Sequence, residues 1–313
     1  MRRSSDFDGL DFAPQWILGF GGAYLFIHLL VIYVWSNAGQ VFSVRGASGG
    51  TCTFSVTCMA AVACWFCALV RRSFPAGAPL RRTWTLIALS MAAQAMSGLV
   101  GLVLGSNWVL NPLEWGGQPR PGVIEQIRRW AVVAGGPVQL ILLAAGLLAA
   151  LRVLRRFGFW ARPTAGDWAI SAIIYLFALA RFSEAGAASL AGKPIGFEEW
   201  VSLAKLPILC VLVLQATLLR QSVVRMGNGL IAKCWLALMG GIFLSAAGEL
   251  ALWVIPHYTH ALPAGMIGPV IGLSSMALLA LAPAWLLVAQ RRAAEPSGGS
   301  AEDLATGVPV MAR

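Results

Sequence analysis

The sequence predicts an all-α fold: a polytopic transmembrane bundle of about eight helices in hairpin repeats, with both termini cytoplasmic. Three observations carry this. The 313 residues are 58% hydrophobic and only 12% charged, whereas soluble domains carry about 25% charged residues. Apolar runs close to the ~20 residues that cross a ~30 Å hydrocarbon layer recur along the whole chain. No alternating period marks strands, and in lipid only a helix or a closed barrel satisfies its own backbone.

Taken in order, residues 1–13 form a polar segment in which Arg2 and Arg3 precede Asp6, Asp8 and Asp11. Trp16–Trp35 is the first span. It is followed by Ser36-Asn37-Ala38, which mimics a cleavage site. Its apolar run exceeds the roughly 7–15 residues of a signal core and its acidic flank is wrong for one, so it reads as a retained helix. Further spans are expected at Thr51–Val70, Thr83–Leu104, Ala131–Leu151, Trp168–Leu190, Val201–Leu219, Leu230–Ile255 and Gly265–Ala289. The run Gly98-Leu-Val-Gly101-Leu-Val-Leu-Gly105 suits close helix packing. One membrane domain therefore covers residues 14–290. The tail, residues 291–313, is rich in Pro, Gly, Ser and charge and is expected to be disordered.

A net charge of +10 would suggest nucleic acid if the basic residues formed a stripe on soluble helices. Here they punctuate the apolar spans, so no nucleic-acid partner is expected, and their bias sets orientation. Arg2, Arg3, Arg71, Arg72, Arg81, Arg82, Arg152, Arg155, Arg156, Arg162, Arg220, Arg225, Lys233, Arg291 and Arg292 fall on one side. Arg45, Arg120, Arg128, Arg129 and Lys193 fall on the other. The first side is expected in the cytoplasm of a bacterial-type inner membrane. Short basic loops also lead three times into a helix opening near a Trp (Trp84, Trp168, Trp235). Thirteen residues past each come Ser97, Arg181 and Gly248. Repeated hairpins account for this, and so does Trp anchoring at the interface.

Function is sought among polar residues at membrane depth, which are expensive there and usually mark a pathway or a site. The stretch Asp167–Leu190 is the focus, because Arg181 and Glu184 lie well inside it and share a helix face. At 1.5 Å per residue, His28, Arg181 and Glu249 fall roughly 18–24 Å from the inner edge. Gln94 lies at mid-depth and Lys205 near the outer start of the sixth span. An outward-facing pocket built from His28, Gln94, Arg181, Glu184, Lys205 and Glu249 is therefore expected. Against it stand a purely structural Arg181–Glu184 pair and a packed His28. Glu249 is the strongest candidate: no basic residue lies one turn along its own helix, so it needs a partner from another helix, a proton, or water.

Other motifs are weaker. His257 and His260, with Glu198-Glu199, would suit a zinc site and a metal-dependent intramembrane hydrolase, but no HExxH is present. Cys64-Trp-Phe-Cys67 has the spacing of a redox pair, and buried packing is the competing reading. Gly46-Ala-Ser48-Gly49 looks like the Gly-x-Ser-Gly of rhomboid proteases without their histidine helix. Among the spans only His28 could anchor a b-type haem, which needs facing histidines, so no cofactor bound by this chain is expected.

The stretches Leu69-Val-Arg-Arg-Ser-Phe-Pro-Ala-Gly-Ala-Pro-Leu-Arg-Arg-Thr-Trp-Thr-Leu86 and Leu244-Ser-Ala-Ala-Gly-Glu249-Leu250 resemble the NrfD/DmsC-type membrane-anchor subunits of molybdopterin oxidoreductases. These are the DMSO-reductase and polysulfide-reductase anchors, haem-free helical-hairpin proteins. Where that family places an Arg four residues after the Glu, this chain has Trp253. The resemblance implies a chain that binds a quinol from the lipid, with Glu249 handling its proton and Arg181 and His28 polarising a ring oxygen. It also implies that electrons pass to an iron–sulfur or other cofactor-bearing partner subunit. A proton-coupled or solute permease is the alternative class, in which the same charges carry the solute.

Overall fold

The computed structural model describes residues 12–37, 41–104, 122–159, 162–224, 229–258 and 264–294. Among these residues the secondary structure is helical. The helices are α1 (Ala13–Asn37), α2 (Val41–Ser73), α3 (Pro79–Leu104), α4 (Gly122–Val133), α5 (Gln139–Arg156), α6 (Ala165–Leu190), α7 (Phe197–Val224), α8 (Leu230–Tyr258) and α9 (Ala264–Ala294). A π-helical turn, Ala134–Val138, joins α4 to α5. Eight stretches are long and apolar enough to cross a membrane, the fourth running from α4 through the π turn into α5.

The ends of these helices follow local chemistry. Thr164 caps α6: its hydroxyl accepts from the Asp167 amide, while the Asp167 carboxylate accepts from the Thr164 amide at 2.8 Å. Gly158 (φ +80°) and Gly192 (φ +74°) follow α5 and α6 in the left-handed region, where a side chain is disfavoured. The π turn is the departure from an unbroken fourth span. Pro137 has no N–H and its ring crowds the preceding turn, so the Gly135-Gly136-Pro137 segment widens instead of continuing the α ladder. Helix α9 runs to Ala294, ending on Arg291 and Arg292 in its last turn, where cations suit the dipole. Residues 295–313 of the expected tail, and 1–11 of the N-terminal segment, lie outside the described residues.

Six helices close a ring. α2 packs on α3, α3 on α5, α5 on α7, α7 on α8, α8 on α9, and α9 back on α2. Two helices flank it: α1 lies against α9 and α2, and α6 against α7 and α8. The hairpins α2/α3 and α8/α9 are tightly closed. In the second, a Cβ on Gly241 would stand 2.8 Å from Leu279 Cγ, and Ser275 Oγ donates to the Gly241 carbonyl at 2.8 Å. In the first, Gly98 faces Thr57 too closely for a side chain.

The basic ends gather at one end of the ring. Ser73, after Arg71 and Arg72, donates to the Gln290 side chain next to Arg291 at 2.8 Å. Lys233 sits 5.3 Å from the Trp285 ring. Arg220 and Gln221 of α7 both donate to the Asp167 carboxylate of α6, at 2.8 and 2.7 Å. Trp84 and Trp235 are buried and tilted against each other at 5.9 Å between centroids. Trp168, their counterpart in the sequence pattern, is exposed on α6. The outer surface is apolar, with Phe26 and Leu29 on α1 and Ile173 and Leu176 on α6 exposed, as a lipid-facing surface requires.

Candidate ligand cavity

The ring helices line a partly open cavity of about 220 Å³, and each of the six contributes to the wall. The polar side chains are Gln94 of α3, Gln139 of α5, Lys205 of α7, Ser245 and Glu249 of α8, and Ser275 of α9. Val56, Leu140, Leu206, Leu209 and Met276 supply the apolar part, and Gly135 and Gly136 present backbone. At 1.5 Å per residue, Gln94 lies roughly 22 Å along α3 from its basic end and Lys205 roughly 12 Å along α7 from the opposite end. The cavity therefore sits in the half of the bundle away from the basic ends.

Its electrostatic centre is one pair. Lys205 Nζ stands 3.6 Å from Glu249 Oε1, with side chains 26% and 34% exposed. That residual exposure leaves room for a ligand to compete for either charge. Glu249 thus meets its cation on another helix, one of the three outcomes its sequence context allowed. Some wall groups have partners: the Ser275 hydroxyl donates to the Gly241 backbone carbonyl, and the Gln139 backbone carbonyl accepts from Ser90 Oγ, each at 2.8 Å. The arrangement offers an acid/base, a cation and amide donors beside an apolar slot.

The structure brings together Gln94, Lys205 and Glu249. The other three residues of the expected pocket do not line this cavity. Arg181 and Glu184 lie on the flanking helix α6 and pair with each other at 2.9 Å, because three-residue spacing places both on one helix face. His28 is on the flanking helix α1, 3% exposed and stacked on Tyr24 at 6.1 Å, with neither ring nitrogen hydrogen-bonded among the described residues. A single pocket holding all six is corrected to a cavity holding three, since depth along a helix does not fix which face a residue presents.

The sequence reading missed Gln139, Ser245, Ser275 and the Gly135-Gly136 backbone. A legible signal existed for the first and last, because Gly-Gly-Pro followed by Gln inside an apolar span breaks the helical pattern. Cys67 is fully buried in the core and Cys64 partly so, both as free thiols, as packing requires. The side chains of Glu198, His257 and His260, and those of residues 46–49, lie outside the described residues.

Comparison with protein-family models, with curated proteins and with solved structures finds no match to this chain. What identifies it is architectural: an integral membrane protein with, among the described residues, eight stretches long and apolar enough to cross a membrane.

Proposed function

We propose that this chain binds the head group of a small amphipathic ligand, most concretely a quinol, in the cavity between its six ring helices. The observation that carries the reading is the Lys205–Glu249 pair, held at 3.6 Å beside an apolar wall. Quinol oxidation releases two electrons and two protons, and a carboxylate next to an apolar slot is the group that takes up such a proton. Lys205, Gln94 and Gln139 are the donors available to a ring oxygen. The volume, about 220 Å³, is below the roughly 300–1,000 Å³ of pockets that enclose whole drug-sized ligands. A head group fits, and an isoprenoid tail would extend between helices into lipid. The electrons would leave through a cofactor-bearing partner subunit in the same inner membrane, the arrangement that resemblance to the NrfD/DmsC-type anchors implies.

The test is equilibrium binding of a short-tailed ubiquinol, kept reduced under anaerobic conditions, to the purified chain in mild detergent, read by tryptophan quenching. Saturable binding is expected, weakened about tenfold or more in Glu249→Gln, the equivalent of about 1.4 kcal/mol. Absence of saturation, or an unchanged affinity in the variant, would overturn the reading.

A second reading, a proton-coupled or solute permease, is favoured by the closure of the ring around the cavity. Reconstituted vesicles separate the two. Solute or proton flux by the chain alone, abolished in Glu249→Gln, would support the permease.

A further inference from the structure

Glu249 and Lys205 belong to different helices, and what holds the lysine at the carboxylate is found on a third. The π turn between α4 and α5 reaches the cavity at Gly135 and Gly136, and α7 packs against this turn. A Cβ built on Gly136 would stand 2.9 Å from Lys205 Cε, 3.5 Å from Cδ and 3.8 Å from Cγ. The lysine stem therefore lies along the bare backbone of the turn for three consecutive carbons. A Cβ built on the neighbouring Gly135 would meet a different side chain, Ser97 of α3. Both glycines are conformationally ordinary, with no positive φ, so backbone freedom is not what the turn requires of Gly136. Space is.

We infer that Gly136 is a positioning residue: the missing side chain at this π-turn position seats the Lys205 stem and so holds its ammonium against the Glu249 carboxylate inside the cavity. The π geometry matters because the wider turn brings backbone, rather than a side chain, up to the lysine. Adding one methyl must displace the stem, because Cε sits closer than real Cβ contacts allow. Nζ, at 3.6 Å from Oε1, would then move out of ion-pair distance. The consequence for ligand binding rests on the function proposed above, whereas the seating itself does not.

The experiment uses the full chain in detergent and needs no ligand. Dicyclohexylcarbodiimide, an apolar reagent, attacks carboxyl groups that no cation holds as carboxylates, and mass spectrometry reads the modified fraction at Glu249. Slow modification is expected in the wild type and severalfold faster modification in both Gly136→Ala and Lys205→Ala. Gly135→Ala/Ser97→Gly, which adds a methyl to the same turn and removes the side chain it would strike, is expected to modify at the wild-type rate. A folded Gly136→Ala chain with the wild-type rate would overturn the inference, as would equal acceleration in Gly135→Ala/Ser97→Gly. If Gly136→Ala alone does not fold, Gly136→Ala/Lys205→Ala is expected to fold, because the stem that the methyl strikes is gone. Failure of that double variant would also overturn it. A null quinol titration alongside the expected carbodiimide results would sink the quinol reading while leaving the seating intact.

Discussion

Glu249 and His28 are both ionisable side chains inside apolar helices, yet they make opposite claims on their surroundings. Glu249 has Lys205 across the cavity at 3.6 Å. Removing the cation alone, as in Lys205→Met, is expected to destabilise the chain by about 1–2 kcal/mol, less than the 3–5 of a sealed pair because both side chains keep some exposure. Lys205→Met/Glu249→Leu is expected to recover much of the loss, since it removes both charges together. Thermal unfolding in detergent checks both, and a double variant no better than the single would mean that the charges are not coupled. Among the described residues His28 has no hydrogen-bond partner on either nitrogen, nor has the Tyr24 hydroxyl beside it. A buried polar group left unsatisfied costs about 1–3 kcal/mol, so His28→Leu is expected to leave the melting temperature unchanged or raise it. A fall of several degrees would reveal a partner for the imidazole. At this scale the sequence was informative about Glu249, because the absence of a cation on its own helix is readable. It was misleading about His28 and Arg181, because residue type and depth are readable but orientation is not.

Between elements, a core of large side chains such as Trp84, Leu147, Leu212 and Leu238 fills the bundle, while small residues and single hydrogen bonds set the closest helix approaches, as expected where lipid provides no hydrophobic drive for association. The α8/α9 contact at Gly241 is the clearest case. Its Cβ would meet Leu279 Cγ at 2.8 Å and the Ser275 carbonyl at 3.0 Å, and backbone cannot move aside. Gly241→Ala is expected to cost about 1–3 kcal/mol through overpacking. Ser275→Ala, which loses one hydrogen bond to the Gly241 carbonyl, is expected to cost about 0.5–1.5 kcal/mol. A reversed order of melting temperatures would show that the hydrogen bond, not the close approach, dominates this contact. Other element features divide by their physical origin. Span positions were legible because a continuous apolar run is obligatory in lipid. The π turn was announced only by Gly-Gly-Pro, and the placement of α6 outside the ring by nothing local. Its Arg181–Glu184 pair drew attention to that helix, but a pair that neutralises itself along one face needs no cavity.

At the scale of the whole molecule, sequence order and spatial order diverge. α5 and α6 are consecutive, yet α5 packs on α7 and α6 lies outside. Hydropathy specifies how many helices cross, and charge bias specifies which way. The ring that creates the cavity depends on which faces fit, and that is written in packing alone. Orientation is the global property that the sequence does address. The loop carrying Ala76 lies between Arg71-Arg72 and Arg81-Arg82, whereas the loop carrying Ala191 has Lys193 as its one nearby cation. Positive charge held on the cytoplasmic side therefore predicts that these loops face opposite ways. Both positions are exposed in tight turns after helices, so a cysteine at either can be reached without unfolding. With the six native cysteines replaced by serine or alanine, Ala191→Cys is expected to react with a membrane-impermeant maleimide in intact cells. Ala76→Cys is expected to react only after permeabilisation. The reverse pattern would invert the molecule and place the cavity in the cytoplasmic half. Labelling of both in intact cells would break the alternation of spans on which the closed ring depends.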